Sequence, residues 1–351
     1  METVWLETVW FVILSVMVAG YVVFDGFDLG VGVVHLYAAR TDAERRRVLA
    51  SIGPVWDGNE VWLLASGGIL FLAFPTVYAS SFSGFYLPLM IVLWLLILRA
   101  IAIEFRNHLE SPIWQPVWDV VFAGASGLLT IFFGAALGNV VRGVPLDGEG
   151  VFFLPLWTDW TPGASPGVLD WYTVLVGLTA FVTLTAHGAL WVALKTDAAV
   201  RERSRKMFGW AWTALVPLLA LMTWATFQVQ PHVPGRLFSN PAGLVLPVVA
   251  VGALVAMRWL DGRGREFEAF LASCGFIVFL LLSAVFGLYP FLLPSNVEPG
   301  MGLSVENAAT APGALRIALY WFVPGFALIV TYFWYIYSRL AGKVPADATG
   351  H

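Results

Sequence analysis

Cysteine is almost absent. Cys274 is the one thiol in 351 residues, which excludes an intramolecular disulfide and a thiolate metal cluster. Charge is scarce too: charged residues make up 12% of the chain, against roughly 25% in a soluble domain. There are five histidines, and only His35 and His187 fall in or near apolar segments. A haem or copper centre needs axial or multiple ligands on facing helices, so two isolated histidines make a poor set. His187, between Thr185 and Gly188, reads as a hydrogen-bonded packing residue. No phosphate-binding loop, dinucleotide fingerprint, zinc spacing or nucleophile triad occurs, and nothing points to a nucleic-acid partner.

What is present is apolar sequence in long runs. The chain is 59% hydrophobic with a mean hydropathy of +0.79, the composition of an all-α integral membrane protein. A span needs about 20 apolar residues. Nine candidates follow: 8–37, 50–73, 79–105, 117–141, 171–195, 208–228, 241–260, 267–292 and 315–339. The first lacks a basic leader and a small-residue cleavage site, and so reads as a retained helix. The stretches 142–170 and 293–314, rich in proline and glycine, read as irregular caps, and residues 1–351 as a single polytopic membrane domain. Trp157, Trp160, Trp171, Trp191 and Trp210 suit interfacial belts.

Basic residues set the expected orientation. With the N-terminus outside, 15 lysines and arginines fall on inner segments and three, Arg142, Arg236 and Arg316, on outer ones. The reading is therefore N-terminus out and C-terminus cytoplasmic. Arg99 lies inside the third span.

Three polar clusters interrupt the first three spans: Asp25 with Asp28; Trp56, Asp57, Asn59 and Glu60; and Arg99 with Glu104 and Arg106. An unpaired ion in lipid costs roughly 2.5–3.5 kcal/mol on insertion scales, so the clusters ask for a function. At about 1.5 Å rise per residue, all five carboxylates fall in the inner half. Asp25 and Asp28 are three residues apart, as are Asp57 and Glu60, so each pair shares a helix face; Tyr21 shares that of Asp25. Buried carboxylates near one another take up and release protons near neutral pH, as a proton relay requires. The bland alternative is a buried ion-pair network of Arg99, Asp57 and Glu104 holding three helices together. Gly20, Gly26, Gly30 and Gly32, with Gly58, Gly67 and Gly68, suggest close helix packing.

The segments Phe24-Asp25-Gly26-Phe27-Asp28-Leu29-Gly30-Val31-Gly32 and Pro54-Val55-Trp56-Asp57-Gly58-Asn59-Glu60-Val61-Trp62-Leu63 resemble signature segments of subunit II of cytochrome bd quinol oxidases. Phe82-Ser83-Gly84-Phe85-Tyr86, Arg99 and Glu104-Phe105-Arg106 add to the resemblance. So do Phe133-Gly134-x-x-Leu137-Gly138-Asn139, Gly143-Val144-Pro145, and Tyr289-Pro290-Phe291 with Pro294-Ser295. The resemblance implies two four-helix bundles plus one peripheral helix in a bacterial or archaeal cell membrane. It implies a heterodimer with a similar subunit I that holds two b-type haems and haem d and oxidises quinol, this chain binding no haem through its own ligands. Some members add a small single-helix accessory subunit or a structural quinone among the membrane lipids. The counterpart of Asp57 lies at the cytoplasmic mouth of a proton path in the family. Asp25, Asp28, Glu60 and Glu104 are then its companions, with Arg99, Trp56, Asn59 and Arg106 as structural or ion-pairing neighbours. Glu60 stands where some relatives have glutamine, and Glu104 where some have aspartate. The rivals are a proton-coupled secondary transporter, which calls for midplane polar sites in two related halves, and a purely structural scaffold.

Overall fold

The computed structural model describes residues 4–345, apart from 164, 298 and 299. The described chain is all-α with twelve helices. They are α1 Val4–Ala38, α2 Asp42–Ala50, α3 Trp56–Ala73, α4 Pro75–Gly84, α5 Tyr86–Phe105, α6 Trp114–Arg142, α7 Trp171–Lys195, α8 Ala198–Val229, α9 His232–Ser239, α10 Val245–Gly262, α11 Glu266–Leu288 and α12 Pro312–Arg339.

Every expected span has a helical counterpart, and the departures have local causes. Expected span 50–73 starts late, at Trp56, because residues 51–55 form turns around Pro54. The separate α2 precedes it, started by a capping box in which Thr41 and Glu44 satisfy each other's backbone N–H groups. The third expected span is broken at Phe85 into α4 and α5. Pro75 opens α4, where a residue without N–H loses no helical bond. Residue 291 begins a strand, so α11 stops at Leu288; Phe291–Pro294 (β1) pairs antiparallel with Gly302–Ser304 (β2). That hairpin gives the expected irregular cap some order.

Eight helices are long and apolar enough to cross a membrane, among the described residues: α1, α5, α6, α7, α8, α10, α11 and α12. The expected ninth, α3, falls short because Asp57, Asn59 and Glu60 occupy its first turns.

Helix α1 is the axle, packing on α3, α6, α7 and α11. Its closest crossing is with α7. A Cβ on Gly30 would sit 2.0 Å from the Leu184 carbonyl oxygen, and one on Gly188 2.2 Å from the Gly30 carbonyl carbon. Glycine is required at both positions, because the obstacle is backbone. Gly58, Gly67 and Gly68 play no such part, since among the described residues no other element lies within 4 Å of an added Cβ. Trp191 is also corrected: it is buried and stacked on Phe27 with ring centroids 4.2 Å apart, while Trp157, Trp160, Trp171 and Trp210 are exposed.

The helix ends sort into two groups. At one, α2 meets the tail and the start of α8: Arg47 binds Asp197 at 2.7 and 2.8 Å, and Arg203 donates to the Ala38 carbonyl. At the other, Trp10 donates to the Leu315 carbonyl and Val144 to the Pro294 carbonyl, beside the hairpin.

Candidate functional site

Two acids on α1, two polar residues on α3, one arginine on α5 and one tyrosine on α12 come together inside the chain. Asp25, Asp28, Asn59 and Arg99 are fully buried. The Arg99 guanidinium reaches Asp25 through both terminal nitrogens, at 2.9 and 2.5 Å. Its Nη1 also lies 3.4 Å from Glu60 Oε1. Such a bidentate pair has the geometry that best repays desolvating both ions. Asp28 is held otherwise: Asn59 Nδ2 donates to its Oδ2 at 2.8 Å, and Tyr337 donates to Asn59 Oδ1 at 2.9 Å. The Tyr21 hydroxyl is buried beside Asp25, one turn earlier on α1.

The other expected residues sit apart from that cluster. Asp57 is exposed in the first turn of α3, where its carboxylate accepts the Gly58 N–H at 2.7 Å. Glu60, one turn further in, keeps 27% of its side chain exposed. Trp56 packs against the core. Glu104 is half-buried and makes no ion pair among the described residues; only its carbonyl is engaged, by His108. The ion-pair network of Arg99 with Asp57 and Glu104 is therefore not formed: Arg99 is met by Asp25 and Glu60. Arg99 is fully buried, whereas Asp57 points outward at the start of α3 and Glu104 closes α5 beyond it.

Sequence reasoning missed a second buried cluster. Asp119, near the start of α6, accepts from His35 Nε2 at 2.7 Å, Arg45 at 2.8 Å and Arg106 at 2.6 and 3.2 Å. Arg106 also binds Asp42 at 2.8 Å. One carboxylate thus ties α1, α2, α5 and α6 together. The available signal was a lone aspartate early in an apolar helix. A third cluster, also missed, lies at the opposite end: Arg142 binds Asp170 and Asn139, while Asp170 caps α7 through the Tyr172 and Thr173 N–H groups.

The four described histidines all have protein partners. A carbonyl can only accept, so His187 Nε2 carries its proton toward the Val23 oxygen at 3.0 Å, and Nδ1 lies 2.7 Å from the Ser273 hydroxyl. With both nitrogens engaged, His187 is a hydrogen-bonded packing residue. His35 Nε2 is taken by Asp119. His108 and His232 bond backbone carbonyls outside the long spans, and His351 lies outside the described residues. No group of three His, Cys, Asp or Glu residues that could hold a metal ion occurs among the described residues.

Residues 6–340 match the family described as cytochrome bd terminal oxidase subunit II. A probable cytochrome oxidase subunit 2 from Haemophilus influenzae is 30% identical, the alignment covering 97% of this chain and 96% of that protein. The cytochrome bd-I ubiquinol oxidase subunit 2 of Escherichia coli is 26% identical with the same coverage. A solved chain of the bd oxidase from Geobacillus thermodenitrificans superposes with a TM-score of 0.74 at 20% identity, covering 95% of this chain and 98% of that one, which shows a shared fold.

Proposed function

The chain belongs to the cytochrome bd terminal oxidase subunit II family, and on that premise we propose that it is the haem-free half of a quinol:O2 oxidoreductase, supporting assembly of subunit I and supplying it with protons. It is a multi-pass subunit of a cell-membrane oxidoreductase. The partner's two b-type haems and haem d supply the redox chemistry, four-electron reduction of O2 to water. This chain's own residues hold and move protons.

The observation that carries the proton role is a gradient of burial along one path. Asp57 is exposed, Glu60 keeps 27% of its side chain exposed, and Asp25 and Asp28 are fully buried. Acids so ordered can accept a proton from water at Asp57, pass it to Glu60 one turn in, and deliver it beside Arg99. Arg99 lowers the cost of a transient negative charge there. Glu104 and Arg106 lie at the same end of α5 and would shape the potential at the mouth. Direct transfer between Asp57 and Glu104 is not part of the route.

In this reading α3 completes nine crossings, arranged as two four-helix bundles and one peripheral helix, in a single membrane unit. The positive-inside split of 15 to three supports a cytoplasmic position for Asp57. Protons are then taken from the cytoplasm, while quinol releases its own outside. Family membership removes the transporter alternative. The scaffold alternative is favoured by one specific contact, the Arg99–Asp25 pair, which joins α5 to α1.

The test is Asp57→Asn in the assembled complex, which keeps size but cannot ionise. Quinol oxidase turnover is expected to fall by up to about 10²-fold, the low end for acid–base groups, with haem content unchanged. Full turnover across pH 6–8 would refute the relay. Loss of haems or of the partner would favour the scaffold. The same purification reads out whether a small accessory subunit or a quinone is retained.

A further inference from the structure

We propose that Asp28 is the resting proton carrier of the buried cluster, a neutral carboxylic acid with its proton on Oδ1, whereas Asp25 is the ion-pair partner of Arg99. The division rests on geometry. Asp25 receives both terminal nitrogens of Arg99, at 2.9 and 2.5 Å, so each of its oxygens faces a cation. No arginine, lysine or histidine among the described residues pairs with Asp28. Its Oδ2 accepts one amide N–H, from Asn59, and its Oδ1 is buried without a partner.

The second acid has no cation of its own. The groups facing Asp28 are Asp25 from α1, Asn59 and Glu60 from α3, Arg99 from α5 and Tyr337 from α12. With Asp25, Asp28 and Glu60 all ionised, one arginine would answer three carboxylates. A fully buried carboxylate that no cation answers takes up a proton instead of remaining a desolvated ion. The Asn59 amide then identifies which oxygen holds it. The Tyr337 hydroxyl donates to Asn59 Oδ1, leaving the amide nitrogen to donate to Asp28 Oδ2. Oδ2 is therefore the carbonyl-like oxygen, and the proton belongs on Oδ1. Tyr337 and Asn59 are positioning residues in this account. They hold the carboxyl in one orientation, and the Asn59 amide is a poor proton relay.

The inference deepens the proton-supply reading and rests on it for its functional consequence. One proton leaves Oδ1 toward the partner and one returns from the Glu60 side, with the Asp28 carboxylate as the transient species. No electron moves within this chain.

The test is infrared spectroscopy of the intact complex, reading the carbonyl stretch of protonated carboxyl groups, which carboxylates lack. Wild type minus Asp28→Asn is expected to show one such band, shifted in deuterated water and by carboxyl-labelled aspartate. Asp25→Glu, which keeps the counter-charge, is expected to retain the band. Because an amide replaces a neutral acid of the same shape, Asp28→Asn should assemble with full haem content. The proposal is overturned if the band survives in Asp28→Asn, if it vanishes in Asp25→Glu, or if Asp28→Asn fails to assemble. Turnover is read separately. Loss of the band with full turnover would support the protonation assignment and remove proton supply. Slow turnover with the band intact would overturn the assignment and leave proton supply in place.

Discussion

Arg99 on α5 and Asp25 on α1 form a two-pronged ion pair, 2.5 and 2.9 Å, in which neither side chain has any exposure. Its value lies in mutual compensation more than in net attraction. Removing one partner of a buried pair strands a charge and costs about 3–5 kcal/mol. Arg99→Gln is therefore expected to lower the thermal stability of the purified complex by that order. The double variant Arg99→Gln/Asp25→Asn is expected to be less damaged than Arg99→Gln alone. Additive losses in a thermal melt would show that the two charges are not coupled.

The Asp119 carboxylate answers two arginines and a histidine at one end of the bundle. Asp119→Asn should cost about 3–5 kcal/mol by the same stranding of buried charge. His35→Gln, which removes a hydrogen bond and no obligatory charge, should cost about 1–2 kcal/mol. Protease sensitivity of the 39–50 segment offers a direct readout, because Asp119 anchors α2 through Arg45. Equal effects of the two substitutions would contradict the assignment.

Gly188 meets Gly30 backbone to backbone, with 2.2 Å from its would-be Cβ to the Gly30 carbonyl carbon. Gly188→Ala must push α7 away from α1, at a cost of about 1–3 kcal/mol for overpacking. Gly209→Ala on α8, where an added Cβ meets nothing within 4 Å, is the control and should be near neutral. Comparing the yield and melting of the two variants checks the crossing.

Glu44 lies outside the long apolar spans, in the first turn of α2. Burial acts to raise its pKa, but hydrogen bonds from Arg203 and from the Arg40 and Thr41 N–H groups outweigh it, and the net shift is downward. A carboxylate depressed in the folded state stabilises fully above its unfolded value, about 4.3 for glutamate, and loses that contribution as pH falls through the folded value. The stability difference between wild type and Glu44→Gln should thus be constant at neutral pH and shrink below about pH 4. A difference that grows on acidification would reverse the sign.

Hydropathy located α7 to the residue, 171–195, because its apolar run and its capping aspartate end together. It placed α8 ten residues late, at 208, because Arg201, Arg203 and Arg205 continue the helix beyond the apolar run. They do so by pairing with Glu266, Glu44 and Asp261. Spacing put Asp25 and Asp28 on one face of α1, yet a face does not name its neighbour. That Arg99 closes on Asp25, with Glu60 alongside, depends on how α3 and α5 pack around α1. Asp119 was missed for the same reason: its partner His35 lies 84 residues earlier. Trp191 looked interfacial because depth along a helix is legible in sequence and the direction of a side chain around it is not.

Proton entry at Asp57, with Glu60 next in the order of burial, is the central claim. Its most direct test is the rate of proton uptake from the cytoplasmic side after an oxygen pulse, measured with a pH dye on Asp57→Asn complexes in oriented vesicles. The account predicts uptake slowed by about 10²-fold, with haem content and partner stoichiometry as in wild type. Uptake at the wild-type rate would contradict it.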